Sequence, residues 1–289
     1  MARILACGVA TIDLVQVVSQ YPAEDAELRA EAQYLWRGGN ATNTLAVLSQ
    51  CGHDCSWLGT LADDDLADVI CRDLDRHRID YSLCRRHSNS STPTSHIILS
   101  GETASRTIVH YRELAELSAA DCEDIDLSGF DWLHVEGRNI DVTKLFLQKV
   151  RQQYPRLAVS LEVEKAREDI ESLIPLADYV LFSKHYARSK GHYTAESLLN
   201  VFADEQQNRV HVCAWGDEGA WCRNPAGEIL HSPALQLEKL VDSRAAGDVF
   251  NAGWIHAMST GKDLQTCLQQ ACELAGRKCA QPGVDGLLT

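Results

Sequence analysis

The sequence predicts an α/β fold: a central, mainly parallel sheet with helices on both faces and a small β-sheet lid. Three observations predict it. Short apolar runs alternate with amphipathic helical segments over most of the 289 residues, the pattern of strands joined by crossover helices. Two stretches, 12–36 and 92–111, break that beat with β-like alternation and no helix between. Late in the chain, the small residues Ala245, Ala246 and Gly247 lead into a helix that opens with Asp248.

The elements follow in order. Residues 4–9 read as a buried strand. Residues 40–50 read as a helix with Asn40 or Asn43 near its start and Cys51-Gly52 at its stop. A strand over 55–61 precedes a helix over 64–77 that opens with acids, as the helix dipole prefers. Strands are expected at 132–135, 158–163, 179–183 and 210–215, and helices at 142–153, 166–175, 195–202, from 246, and at 264–279. Within the second irregular stretch, Ile97-Ile98-Leu99 and Thr107-Ile108-Val109 flank the turn Ser100-Gly101-Glu102 as a hairpin. The expected division is a core of 1–11, 37–91 and 112–289 under a β lid of 12–36 and 92–111. Such a lid excludes water from a transfer reaction.

Composition narrows the function. Hydrophobic residues make up 45% and charged residues 24%, an ordinary globular balance with ample core. The net charge of −14 excludes a broad nucleic-acid surface, which needs basic clusters, yet leaves room for one nucleotide in a local positive pocket. The eleven cysteines are odd in number and form no C-x-x-C pair, so they read as reduced thiols of a cytoplasmic protein. No apolar run reaches membrane-span length and no signal-peptide pattern opens the chain.

The chemistry concentrates in a few places. Three small side chains before Asp248 let an anion approach the main chain, where free N–H groups of the first helical turn point at it. A carboxylate at Asp248 can take a proton from a hydroxyl while the amides hold a phosphoryl group. Asp13 follows the first strand, and Arg37-Gly38-Gly39-Asn40-Ala41-Thr42-Asn43 follows the first irregular stretch. An acid and two asparagines suit a polyol better than an apolar ligand. Arg106 is a single cation in the hairpin, suited to phosphate oxygens, and Gly216-Asp217-Glu218-Gly219 makes a turn at the edge where ligands sit in such sheets. Walker-type, dinucleotide-binding, nucleophile-elbow and H-E-x-x-H motifs are all absent.

Together these pieces resemble the PfkB, or ribokinase-like, sugar kinases, nearly end to end. Asp13, the Arg37-Gly38-Gly39-Asn40-x-x-Asn43 box and the Asp242-x-x-Ala245-Ala246-Gly247-Asp248 box carry the likeness. Segments such as His134-Val135-Glu136-Gly137-Arg138-Asn139 and Glu162-Val163-Glu164-Lys165 favour the branch that phosphorylates fructose at its 1-hydroxyl. The resemblance implies a ribokinase-like three-layer sandwich. It implies Asp248 as general base, with Ala245, Ala246 and Gly247 as anion hole. Asp13, Gly39, Asn40 and Asn43 would hold the sugar. Arg106, Gly216, Asp217, Glu218, Gly219, Phe250, Asn251, Cys272 and Gly276 would surround ATP. Members use Mg²⁺, for which Glu164 is the candidate contact, and many respond to K⁺. The branch pairs through its lids, which implies a homodimer. A kinase of another sugar or a nucleoside, with Trp36 or Trp254 as a wall for the base, is the alternative, as is a sugar-binding protein without catalysis.

Three departures stand out. Ala245 replaces the usual Gly. Ser183-Lys184-His185-Tyr186 stands where many relatives have Asn-x-x-Glu, and Gln236-Leu237-Glu238-Lys239 replaces a proline-rich segment.

Overall fold

Period-two burial on the strands builds the molecule outward from one sheet. On the first strand Ile4 and Ala6 enter one apolar cluster while Leu5 and Cys7 enter another, so both faces of the sheet are covered. The computed structural model describes residues 1–103, 105–203 and 208–288. The residues between these ranges, inside the expected lid and core, lie outside the description.

Along the chain run β1 (Arg3–Cys7), β2 (Thr11–Val18), β3 (Ala32–Gly38) and α1 (Asn40–Gln50). Next come β4 (Asp54–Leu58), β5 (Thr60–Ala62), α2 (Asp65–Arg76), β6 (Ile79–Asp80) and β7 (Arg85–His87). Then follow β8 (Thr94–Ser100), β9 (Arg106–Tyr111), β10 (Trp132–Glu136), α3 (Ile140–Gln153), β11 (Ala158–Val163) and β12 (Tyr179–Ser183). The chain closes through α4 (Lys184–Ser189), α5 (Ala195–Leu199), β13 (Val210–Ala214), β14 (Ala220–Arg223), β15 (Ile229–Ser232), α6 (Ala246–Ser259) and α7 (Leu264–Cys279).

Among the described residues the main sheet has nine strands in the order β15-β14-β13-β12-β11-β10-β1-β4-β6. It is parallel from β6 to β13 and antiparallel at β14 and β15. Helices α1, α2, α6 and α7 pack on the face of Ile4, whereas α3 and α5 pack on the face of Leu5. The α/β reading of the sequence therefore holds. A separate four-stranded sheet, β3-β2-β8-β9, draws its strands from both irregular stretches. The expected hairpin is β8 with β9, where Ile97 faces Ile108.

Some elements differ from expectation. Residues 166–175 form no α-helix; a 3₁₀ segment, Ile170–Leu176, carries Pro175, which has no N–H to give and clashes with a preceding turn. The strand expected over 55–61 splits into β4 and β5, the latter pairing with β7. Helix α1 starts at Asn40 with Gly39 as its cap at φ 107° and no side-chain cap, so neither Asn40 nor Asn43 is spent on capping. No described helix is long and apolar enough to cross a membrane, and all eleven cysteines are free.

Candidate active site

Parallel strands end on the same side, and the ends of β10 and β11 set the floor of the site. Glu136 and Glu162 are register partners, and α1 and α6 start beside them. Glu136 is buried, and its Oε1 accepts the N–H groups of Val9 (3.2 Å) and Ala41 (2.8 Å). It thereby satisfies a free amide at the start of α1. Burial raises its carboxyl, against the opposing pull of Arg138 and of those two bonds.

Two glycines let the box after β3 fold tightly. A Cβ on Gly39 would stand 2.1 Å from Val9 O, and one on Gly38 would stand 2.6 Å from both carboxyl oxygens of Asp13. At Gly39 the clash is with backbone and φ is 107°, so only glycine fits, whereas a side chain at Gly38 would push Thr11 and Asp13 aside. Asp13 is thereby free to face the interior, where Thr11 Oγ1 donates to it at 3.1 Å.

A hydrogen-bonded chain runs from this box to the late acid. Arg37 Nε donates to Asp73 Oδ2 at 2.6 Å, and Arg37 Nη1 donates to Asn43 Oδ1 at 2.9 Å. Arginine has no acceptor, so Asn43 must present its oxygen to Arg37 and its amide NH₂ to the other side. There Asn43 Nδ2 donates to Asp248 Oδ2 at 2.7 Å. Asp248 lies on the first turn of α6 and is buried. Burial raises its carboxyl above the ordinary range; Asn43 opposes the rise and the charges of Glu164 and Glu136 add to it. Glu162 is raised too, by burial first and then by Asp248, Glu136 and Glu164. Its Oε1 accepts from Asn40 Nδ2 (3.2 Å) and Asn251 Nδ2 (3.1 Å). Its Oε2 is buried without a partner.

These groups share a cavity of about 520 Å³, the size of a small-ligand site. Of the residues singled out from the sequence, it brings together Asp13, Gly39, Asn40, Asn43, Arg106, Glu164, Ala245, Ala246, Gly247, Asp248 and Asn251. Arg106 reaches in from β9 and donates to Ser243 Oγ at 2.8 Å. Ala245 has φ 57°, a left-handed conformation that L-residues disfavour.

The remaining candidates lie elsewhere. Phe250 and Cys272 belong to the apolar core, and neither side chain lines the cavity. Gly276 backs onto Leu235, whose Cβ would lie 2.4 Å from an added methyl. Gly216, Asp217 and Glu218 form a 3₁₀ turn closed by Gly219. That turn lies just past the cavity's rim at Ala214 and is tied to Lys184. Trp254 is fully buried and gives no wall to a ligand. Trp36 lines a neighbouring cavity of about 310 Å³, beneath the Arg244 guanidinium at 4.5 Å.

Sequence reasoning passed over Glu136, Glu162, Arg37 and Arg244 as site residues. The signal for the two acids was an apolar strand ending in a carboxylate, in Trp132-Leu133-His134-Val135-Glu136 and again in the strand reaching Glu162. A buried strand that ends in an acid places that acid at the ligand edge.

Comparison with known proteins agrees with this architecture. The model of the pfkB family carbohydrate kinases matches residues 1–288. The chain belongs to that family and is an ATP-dependent carbohydrate kinase. It is 37% identical to ketohexokinase of Mus musculus over 294 residues, 99% of each chain. It is 23% identical to fructosamine kinase FrlD of Bacillus subtilis, covering 89% of this chain and 88% of that one. Among solved structures, a ribokinase from Cryptococcus neoformans in complex with ADP superposes with a TM-score of 0.78 at 16% identity, covering 98% and 96% of the two chains. An adenosine kinase from Sinorhizobium meliloti gives 0.80 at 20% identity, covering 98% and 95%. Both share the fold.

Proposed function

We propose that this kinase transfers the γ-phosphoryl group of ATP to a ketohexose hydroxyl, fructose to fructose 1-phosphate. The observation that carries the reading is the 2.7 Å bond from Asn43 to Asp248. It joins the sugar-type box to the base-bearing helix inside one cavity. The 37% identity to a ketohexokinase over the full chain supports the choice of acceptor.

In this reading Asp13, Gly39, Asn40 and Asn43 hold the sugar hydroxyls, and Asp248 accepts the proton of the attacking one. The free N–H groups around Ala245, Ala246 and Gly247, at the positive end of α6, face the transferring phosphoryl oxygens. Arg106 closes on the phosphates from the small sheet, which acts as a lid. Transfer is direct and in line, with positioning and charge neutralisation as the main catalytic terms. ATP lies toward Asn251 and the turn from Gly216 to Gly219.

Mg²⁺ belongs to the same reading. The unpartnered Oε2 of Glu162, with Glu164 on the same cavity, suits an ion that takes one or two protein carboxylates and otherwise waters and phosphates. When bound, the ion neutralises phosphate charge. A response to K⁺ rests on the family likeness alone, and a cytoplasmic location on the free cysteines.

The test is a panel of ketoses, aldoses and one nucleoside with ATP, read by mass detection of the phosphorylated product. Fructose is expected to lead. The nucleoside belongs in the panel because Trp36 lines the cavity next to the sugar site; a nucleoside phosphorylated ahead of every ketose overturns the choice of acceptor.

A further inference from the structure

We infer that an ionic brace of Asp242, Arg244 and Lys278 holds Ala245 in the left-handed conformation that shapes the phosphate-binding turn. The inference rests on reading that turn as the phosphoryl site. Ala245 sits at φ 57° and ψ 8°, where an L-residue is disfavoured and glycine is free. Left to itself, an alanine turn would relax toward negative φ and swing the N–H groups away from the cavity. Something must hold it, and conformations of this kind persist only where the surroundings over-determine them.

The surroundings do so from three sides. Lys278, near the end of α7, is 1% exposed. Its ammonium donates to Asp242 Oδ2 (2.8 Å), Asp242 O (2.9 Å) and Gln281 O (3.3 Å), which uses all three of its donors. The backbone N–H groups of Val241 and Asp242 both donate to Cys279 O. The start of the turn is thus docked on the end of a helix.

Arg244 clamps the other end. Its backbone N and Nε donate to Asp242 Oδ1 at 3.0 and 2.9 Å, and its Nη2 donates to Oδ2 at 3.0 Å. The fork closes over Ser243 and fixes the residue immediately before Ala245. Its guanidinium also lies 4.5 Å above the Trp36 ring, which ties the turn to the small sheet. Burial alone would raise the Asp242 carboxyl; the bonds from Arg244 and Lys278 outweigh it and bring it down to about 2. Asp242 is therefore ionised and matched to both cations. Lys278 acts only through the turn, and Arg244, which also lines the cavity, is assigned as a positioning residue of that turn.

The test is a double-substitution cycle. Arg244→Met keeps the aliphatic stem on Trp36 and leaves Asp242 paired with Lys278, so the protein still folds. It is expected to lower kcat by about tenfold or more while KM for the sugar moves by less than about threefold. Ala245→Gly is then expected to raise kcat at least about fivefold more in the Arg244→Met background than in the native one, because glycine takes the turn without a brace. A merely structural Arg244 predicts no such difference, and equal effects of Ala245→Gly in the two backgrounds overturn the inference. Lys278→Met runs the same cycle from the other side of Asp242, should Arg244→Met not fold. Chemical unfolding of the same four proteins reads the brace without turnover: non-additive midpoint shifts are expected, and additive ones overturn it. A native protein that phosphorylates no sugar refutes the kinase reading alone, while the unfolding cycle still decides the brace.

Discussion

A carboxyl that works as a base must release its proton at the working pH, and burial makes that harder. Burial, with the charges of Glu164 and Glu136, pushes Asp248 up to about 7 in spite of its bond from Asn43. The base is active only when ionised, so kcat/KM is expected to fall as pH drops through about 7; a profile flat down to pH 5 contradicts the assignment. Asp248→Asn is expected to lower kcat by about 10² to 10⁴ and to stabilise the fold at the same time. Between the ordinary carboxyl range and about 7 the folded protein binds the extra proton, so stability declines as pH rises across that window. The Asn variant escapes this decline. Its advantage over the native protein is expected to be about 1 to 4 kcal/mol at pH 8, shrinking toward pH 4, as measured by denaturant unfolding. Arg37→Met removes the group that orients Asn43 and a positive charge that favours ionised Asp248. Asp73 keeps Arg76 as a partner, so the fold survives. The expected outcome is a kcat loss on the order of tenfold and an acid limb displaced to higher pH; an unmoved limb removes Arg37 from this role. The sequence displays Arg37 at the head of its box, but not the bond to Asn43. That bond depends on how β3 turns into α1 across two glycines.

At the scale of elements, long periodic segments were the legible ones. Helices α1 and α7 and strands β11 and β12 fall where the periodicity puts them, because each is a run of one period bounded by clear stops. The short antiparallel edge of β14 and β15 was not legible, since four-residue strands carry too little pattern. Nor was the meeting of Glu136 with Glu162, which comes from parallel pairing of strands 26 positions apart. The second irregular stretch supplies Arg106 on β9. Its bond to Ser243 joins the small sheet to the turn before α6. Arg106→Ala is expected to raise KM for ATP by roughly tenfold, the scale of one charge-assisted bond, and to leave sugar binding without nucleotide intact by calorimetry. Loss of sugar binding with ATP binding retained would reverse the assignment.

For the molecule as a whole, the small sheet carries apolar side chains into solvent. On the face turned away from the cavity, Val109 and Tyr111 on β9 are 66% and 59% exposed, and Leu35 on β3 is 47% exposed, whereas Ile108 lines the cavity. A face of this kind suits association, and we propose that a dimer through the small sheets covers it. Sedimentation is expected to show a dimer in the native protein and a monomer for Val109→Asp; a native monomer at micromolar concentration contradicts this. The convergence of early and late boxes was legible as an order of motifs, while the cavity they form exists only once the sheet has brought residues 43 and 248 together.

The central claim is that this cavity moves a phosphoryl group onto a ketose. The most direct measurement follows ATP and fructose with the native protein by phosphorus NMR. The account predicts fructose 1-phosphate and ADP formed in equal amounts, lost together in Asp248→Asn. ADP accumulating with inorganic phosphate and no sugar phosphate would contradict it.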